Sequence, residues 1–271
     1  MGKKIPFHSR RLPCFSRWQG LWLCLLLSAS AGVTFLPDSS AYVQDLSLRF
    51  TGLSLAHPLG TDALGRDLLL RLLRGGQVSL IVGAVAAILA LFIGTTVGMI
   101  SGYVGGRVDR LLMGCVDVFY ALPVTLLMLL FLVFVGSGTG VLCLAIGLTE
   151  WFALARVIRA RTLDLRCRTF VLAASAIGQS HRRILLDHIL PHLIPMLSDY
   201  ALLLLSNAVL MEAFLSFLGL GVRPPGSSWG NMIVDGTQTL GEHPLQLLLP
   251  ATCLVLTLLS LQTLRKREEK P

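Results

Sequence analysis

Gly75-Gly-Gln-Val-Ser-Leu-Ile-Val-Gly-Ala-Val-Ala-Ala-Ile-Leu-Ala-Leu-Phe-Ile-Gly-Thr-Thr-Val-Gly-Met-Ile-Ser-Gly-Tyr-Val-Gly-Gly106 runs without one charged side chain. A helix crosses the hydrocarbon core of a bilayer in about 20 mostly apolar residues, so this stretch is long enough to span it. Gln19 to Leu36 forms a second uncharged run. Across the chain 54% of residues are hydrophobic and only 14% are charged, with a mean hydropathy of +0.73. Soluble domains carry about 25% charged residues. The bilayer is therefore the solvent that this composition suits, and a soluble globular core is excluded.

Outward from that run, apolar stretches bounded by Arg, Lys, Pro or Gly predict six spans, at 19–36, 78–101, 111–135, 140–158, 190–217 and 245–264. Gly136-Ser-Gly-Thr-Gly140 supplies the tight turn between the third and fourth. Short cytoplasmic loops hold the excess of Lys and Arg. With the N-terminus inside, all of the 23 basic residues except Arg49, Arg66, Arg71, Arg74 and Arg223 fall on the cytoplasmic side. The expected organisation is a cytoplasmic segment 1–18, a first span 19–36, and an extracytoplasmic loop with an amphipathic segment over 37–74. A core of five spans over 75–264 and a cytoplasmic tail 265–271 follow, with both termini cytoplasmic. Basic residues, an apolar run and Ser28-Ala-Ser-Ala31 also resemble a cleavable secretory leader. We read the segment as a retained span, since uncleaved first helices share that layout.

The positive balance, +8 at pH 7, follows the loops and does not point to nucleic acid. Six cysteines are scattered without a Cys-x-x-Cys pair and read as small apolar residues. Gly94, Gly98, Gly102 and Gly106 recur every fourth residue, which predicts a face for close helix packing; a pore lining is the alternative. His188 and His192 have the spacing of a zinc pair, but with no intervening Glu and no third ligand nearby they read as interfacial histidines. Asp117, Glu150, Asp199 and Glu212 lie in or beside apolar runs, where ionisable groups are costly. Structural pairing is the reading for the first three. Glu212 is the candidate for the transport pathway or a subunit interface. The chain has no Gly-x-x-x-x-Gly-Lys-[Ser/Thr] loop, no His-Glu-x-x-His and no Gly-x-Ser-x-Gly, so nucleotide hydrolysis by the first route and the two hydrolase patterns are excluded.

Several motifs carry a resemblance. His57-Pro-Leu-Gly-Thr-Asp-Ala-Leu-Gly-Arg-Asp67, Gly102-Tyr-Val-Gly-Gly-Arg-Val-Asp109, and Glu212-Ala-Phe-Leu-Ser-Phe-Leu-Gly-Leu-Gly-Val222 with Ser228-Trp-Gly-Asn-Met232 resemble the permeases of dipeptide, oligopeptide and nickel ABC importers. Phe170-Val-Leu-Ala-Ala174, Gly178 and His188-Ile-Leu-Pro191 are similar to that family's coupling motif. The resemblance implies a type I importer permease fold whose coupling helices dock into a cleft on an ATP-hydrolysing subunit. On that reading Phe170, Ala173, Ala174, Gly178, Arg182, Arg183 and Pro191 form the docking segment. Ala173 and Ala174 allow close approach, Gly178 permits the turn, and Pro191 suits the first turn of the next helix. Arg182 and Arg183 meet acidic groups on the partner.

The implied partners are a second homologous permease subunit, two ATP-binding subunits, an extracytoplasmic substrate-binding protein and membrane lipid, in a bacterial inner membrane. This chain itself would bind no cofactor and catalyse nothing; ATP and magnesium would sit on the partner ATPases. Leu172 stands where such permeases generally place a glutamate, and the tail lacks the family's Gly-Asp-x-Leu-Arg-Asp. Nickel or a metal chelate and short peptides are the expected cargoes, with Leu172 and the short chain leaning to nickel. An ion-coupled secondary transporter using the intramembrane carboxylates, and a membrane-embedded enzyme, are the rival readings.

Overall fold

The computed structural model describes residues 42–136 and 138–268 together with Trp22, Ser28 and Gly32. The expected first span, 19–36, and the segment 1–18 lie outside the described residues but for those three. Among the described residues eight helices follow the entry loop: α1 (Leu68–Val104), α2 (Gly106–Tyr120), α3 (Val124–Val135), α4 (Thr139–Arg166), α5 (Thr169–Ala176), α6 (His181–Phe217), α7 (Trp229–Gln238) and α8 (Leu245–Glu268). Only an isolated bridge between Thr61 and Asp67 is extended structure among the described residues.

Helices α1, α4, α6 and the Leu245–Arg265 part of α8 are each long and apolar enough to cross a membrane. The predicted span at 111–135 is a correction: the structure breaks it into α2 and α3, bent by 87°. Pro123 caps α3, and the residue before a proline is pushed out of helical geometry, so Ala121-Leu-Pro123 forms an elbow. The pair counts as a fifth crossing if taken together. The spans at 78–101, 140–158 and 190–217 are contained in longer helices, because hydropathy loses the charged ends while the backbone ladder continues.

Helices α1 and α4 run in the same direction. Positions Gly94, Gly98 and Gly102 of α1 meet Leu154, Ala155 and Thr162 of α4 in rising order, and Gly147 of α4 meets Ala86 and Leu89 of α1. Two parallel neighbours need a return path, and the bent α2–α3 pair carries the chain back. α6 is antiparallel to α1: Gly83 faces Val209, and Ser79 faces Glu212. Ala90, Leu154, Ile158, Ile189 and Leu193 fill the core towards the α5 end. Leu68, Leu72, Val209, Trp229 and Leu254 fill it at the opposite end, where α7 and α8 close over α1.

Candidate functional site

Helix α5 sits at the end of the molecule where α1 and α4 finish. Val171 and Ala174 are buried against α4 and α6, and Phe170 stacks on the His192 ring with centroids 4.6 Å apart. The other face is uncovered: Leu172 is 55% exposed and Ile177 76% exposed, with Ala173 and Ala176 also on the surface. A helix period of 3.6 residues explains the split, because Val171 and Ala174 share one side while Ala173 and Ile177 share the other. This corrects the pairing of Ala173 with Ala174 as a joint contact surface. Ala174 anchors the segment inside its own chain, and Ala173 alone faces out.

The turn after α5 is a Schellman motif. The Gly178 N–H donates to the Ser175 carbonyl at 3.0 Å and the Gln179 N–H to the Ala174 carbonyl at 3.2 Å. Gly178 has φ +79°, a conformation that other residues rarely adopt, and nothing lies within 4 Å of a Cβ built there. Strain, rather than crowding, therefore selects glycine. Ser180 then caps the next helix through the Arg183 N–H. Arg182 and Arg183 are exposed, with Arg183 Nε donating to Asp187 at 3.3 Å.

Pro191 stands in the first turn of the α-helical stretch Leu190–Phe217, the place expected for it, although that stretch is not a separate helix. α6 is continuous from His181, and its turn Ile184–Ile189 is widened to π-helical pairing, with the Leu190 N–H reaching the Leu185 carbonyl. Pro191 follows at once and has no N–H to place in the ladder. His188 Nε2 donates to Gln179 Oε1 at 2.8 Å, and His192 Nδ1 donates to the His188 carbonyl at 2.7 Å. No cluster of three metal-ligating side chains occurs among the described residues. A cavity of about 410 Å³ opens at the foot of α5, lined by Tyr103, Arg166, Val171, Leu172, Ser175 and His181 among others.

The glycine face supports this end from behind. A Cβ at Gly98 would lie 2.6 Å from the Ala155 carbonyl oxygen, and one at Gly102 would lie 2.6 Å from that of Arg159. Gly94 is held the same way, 3.0 Å from the Trp151 carbonyl oxygen. Gly106 is a correction: α1 has ended at Val104, Gly106 opens α2, and its Cβ position meets nothing within 4 Å.

Glu212 is also a correction. It is 0% exposed, and its oxygens accept from Ser79 Oγ at 2.6 Å and Ser216 Oγ at 2.7 Å. Ser228 Oγ donates onward to Ser216 at 3.1 Å, and the Trp229 N–H to Ser79 Oγ at 3.3 Å. Glu212 thus pins α1, α6 and α7 together inside the chain, rather than lining a pathway or a subunit interface. Asp117 pairs with Arg156 at 2.6 Å, Glu150 is hydrogen-bonded to Asn207, and Asp199 keeps one buried oxygen without a partner.

At the far end, a buried ion network escaped the reading of single residues. Asp62 accepts from the Leu64 and Arg66 N–H groups at 2.8 and 2.9 Å, from Arg66 Nε at 2.7 Å and from Arg71 Nη1 at 2.5 Å. Arg71 also reaches Asp235 of α7 at 3.0 Å, while His57 pairs with Asp67 at 2.8 Å. Asp62, Arg66, Asp67 and His57 all belong to the quoted entry motif; the pattern held the signal, but Asp235 lies too far along the chain to be joined to it by spacing.

Residues 94–266 match the family described as "Binding-protein-dependent transport system inner membrane component". An oligopeptide transport system permease protein, OppC, of Haemophilus influenzae is 42% identical over 202 residues, covering 74% of this chain and 65% of its own length. A dipeptide transport system permease protein, DppC, of Bacillus subtilis is 36% identical over 247 residues, 90% of this chain and 77% of its own. The chain therefore spans about two thirds to three quarters of the length of these relatives. A structure of the MetNI methionine ABC transporter in inward-facing conformations matches at 20% identity with a TM-score of 0.61, over 74% of this chain and 95% of that one.

Proposed function

We propose that this chain, which belongs to the family of binding-protein-dependent transport system inner membrane components, forms half of the translocation pathway of an ATP-driven importer of di- or oligopeptides. The observation that carries the reading is the α5–Gly178 segment. Its inner face is locked into the core, while Leu172, Ala173 and Ile177 stand exposed, and Arg182 and Arg183, exposed as well, follow a few residues on in the chain. An apolar patch rimmed by positive charge fits a partner with an apolar groove and acidic edges, as an ATP-hydrolysing subunit would offer.

The partners of this reading are a second permease subunit of similar fold, two ATP-binding subunits carrying ATP and magnesium, and an extracytoplasmic substrate-binding protein. The chain itself is non-catalytic. Its setting is the inner membrane of a bacterium, with six spans, 19–36 being the first, and cytoplasmic termini. The core 75–264 then carries five spans between an outer loop, 37–74, and an inner tail, 265–271. Peptide replaces the earlier lean to nickel as the cargo class, because both relatives above are named as peptide permeases. ATP binding would close the hydrolytic pair and move α5 with the core behind it as one body.

Uptake of a labelled oligopeptide by inside-out-free liposomes holding the whole complex tests this. Uptake should need enclosed ATP, persist with an uncoupler, and vanish in Gly178→Asp with the chain still inserted. Uptake that fails with the uncoupler alone would instead favour an ion-coupled transporter.

A further inference from the structure

Of the seven arginines from Arg156 to Arg183, five have an acidic partner. Arg156 pairs with Asp117, Arg159 with Asp109, Arg161 and Arg168 with Asp164, and Arg183 with Asp187. Arg182 is exposed to solvent. Arg166 is half-buried and pairs with no carboxylate among the described residues; its Nη1 donates to the Tyr103 carbonyl at 3.0 Å. Asp109 is within its electrostatic reach, but both oxygens of that carboxylate are bound by Arg159. Gly105 leaves room for the guanidinium, since it has φ +70° and a Cβ there would lie 3.0 Å from Nη1.

This uncompensated cation borders the cavity of about 410 Å³ at the foot of α5. Tyr103 and His181, hydrogen-bonded through the hydroxyl and Nδ1 at 3.0 Å, line it beside Arg166, and Val104, Leu172 and Leu185 supply apolar walls. The spans read from sequence end at Ser101 in α1 and Ile158 in α4. Tyr103 stands two residues past the first of these ends, about 3 Å along the helix. Arg166 lies further along α4, but its Nη1 touches the Tyr103 carbonyl, so its charge is at the same height. The headgroup layer on each face of a bilayer is about 5–8 Å deep. On those spans the cavity therefore sits in that layer.

We propose that this cavity binds the phosphate of an anionic phospholipid, held by Arg166 and the Tyr103–His181 pair, with the lipid's apolar carbons against Val104, Leu172 and Leu185. The site rests on the membrane topology of the reading above, not on its cargo. The chemistry recognised is a phosphate without a cation of its own. Guanidinium presents a planar fork suited to phosphate, and one bond to Tyr103 leaves most of that fork unused. A zwitterionic headgroup carries its own positive charge and would leave Arg166 uncompensated. Basic pockets between spans at the cytoplasmic face take anionic head groups for this reason. Leu172 borders both the cavity and the bare face of α5, so a bound lipid ties the ends of α1, α4 and α6 to the docking segment.

The test uses the complete complex, with the six native cysteines of this chain replaced by alanine and Ser175→Cys added, because Ser175 is exposed and borders the cavity. Nanodiscs of phosphatidylcholine alone are compared with nanodiscs of equal parts phosphatidylcholine and phosphatidylglycerol, and the thiol is labelled with an uncharged maleimide. Phosphatidylglycerol should slow the reaction at least about tenfold. Arg166→Gln should react at the fast rate in both lipids. Arg166→Lys should keep part of the slowing, and Arg161→Gln, whose exposed guanidinium pairs with Asp164, should keep all of it. Equal rates in the two lipids with Arg166 present would overturn the site. A thiol slow in both would mean that a partner subunit fills the cavity, which overturns it too. Inorganic phosphate that slows labelling as strongly in phosphatidylcholine alone would overturn the lipid and assign the cavity to soluble phosphate. Labelling needs neither peptide nor ATP, so a negative result leaves the import reading standing, and failed peptide uptake leaves this result standing.

Discussion

The two ends of the molecule are finished in opposite ways. At the entry-loop end, Asp62, Arg66, Arg71 and Asp235 pair with one another inside a single chain, and Trp229 is sealed over α1 with its Nε1 donating to the Leu72 carbonyl at 3.0 Å. At the α5 end, Leu172 and Ile177 are left bare, and the ion pairs there, Arg168 with Asp164 and Arg183 with Asp187, are exposed ones of 3.3 Å. Exposed pairs contribute at most about 1 kcal/mol. The first end is built to hold a shape without help. On the proposed function the second is completed by another protein, its own chain supplying the footing.

Substitutions should separate the ends. Asp62→Ala leaves Arg71 buried with only the half-exposed Asp235 as a partner and takes the acceptor from two backbone N–H groups of the loop, those of Leu64 and Arg66. It should cost about 3–5 kcal/mol, read as a lowered unfolding midpoint of the purified complex. An unchanged midpoint would mean that the network is not what holds this end. Gly98→Leu strikes the seam joining the two ends, where a side chain meets the Ala155 carbonyl directly. Overpacking there should cost about 1–3 kcal/mol and reduce the amount of folded chain in the membrane.

Ile177→Asp sharpens the contrast from the other side. Its side chain touches little in this chain, so insertion and unfolding midpoint should match wild type. Retention of the ATPase subunits on purification should fall at least tenfold, about 1.4 kcal/mol. Full retention would show that the bare face of α5 is not the contact. The smallest effect is expected for Gly178→Ala. The left-handed turn then carries a Cβ penalty of about 1 kcal/mol with no clash, so uptake should drop severalfold while the complex stays assembled.

Much of the architecture was readable because bilayer solvation acts on runs of residues, and runs are what a sequence displays. The break at the elbow was missed although Pro123 was visible, since the apolar run continues unbroken through it and hydropathy carries no dihedral angle. Gly106 extended a four-residue spacing past the point where the helix stops, so the periodicity outlived its physical basis. The α5 segment was located by pattern, yet only helix register separates Ala174, facing inward, from Ala173, facing out. Glu212 read as functional because an intramembrane carboxylate without a basic residue near it in sequence looks unpartnered. Ser216 lies one turn on in the same helix, but Ser79, which donates to the carboxylate, and Ser228, which backs Ser216, come from other elements and join it only in three dimensions.

The widened turn at Ile184–Ile189 has a consequence for chain length. A π-turn holds one residue more than the α-helical turn it replaces. Removal of a single residue there would let the ladder close as ordinary α-helix, with every side chain from Leu193 to Phe217 kept at its angle and height. The same deletion a few positions later would rotate the helix by about 100° per residue, swinging Val209 and Glu212 away from α1. Length variation between otherwise similar permeases should therefore be tolerated at this turn and rejected beyond it.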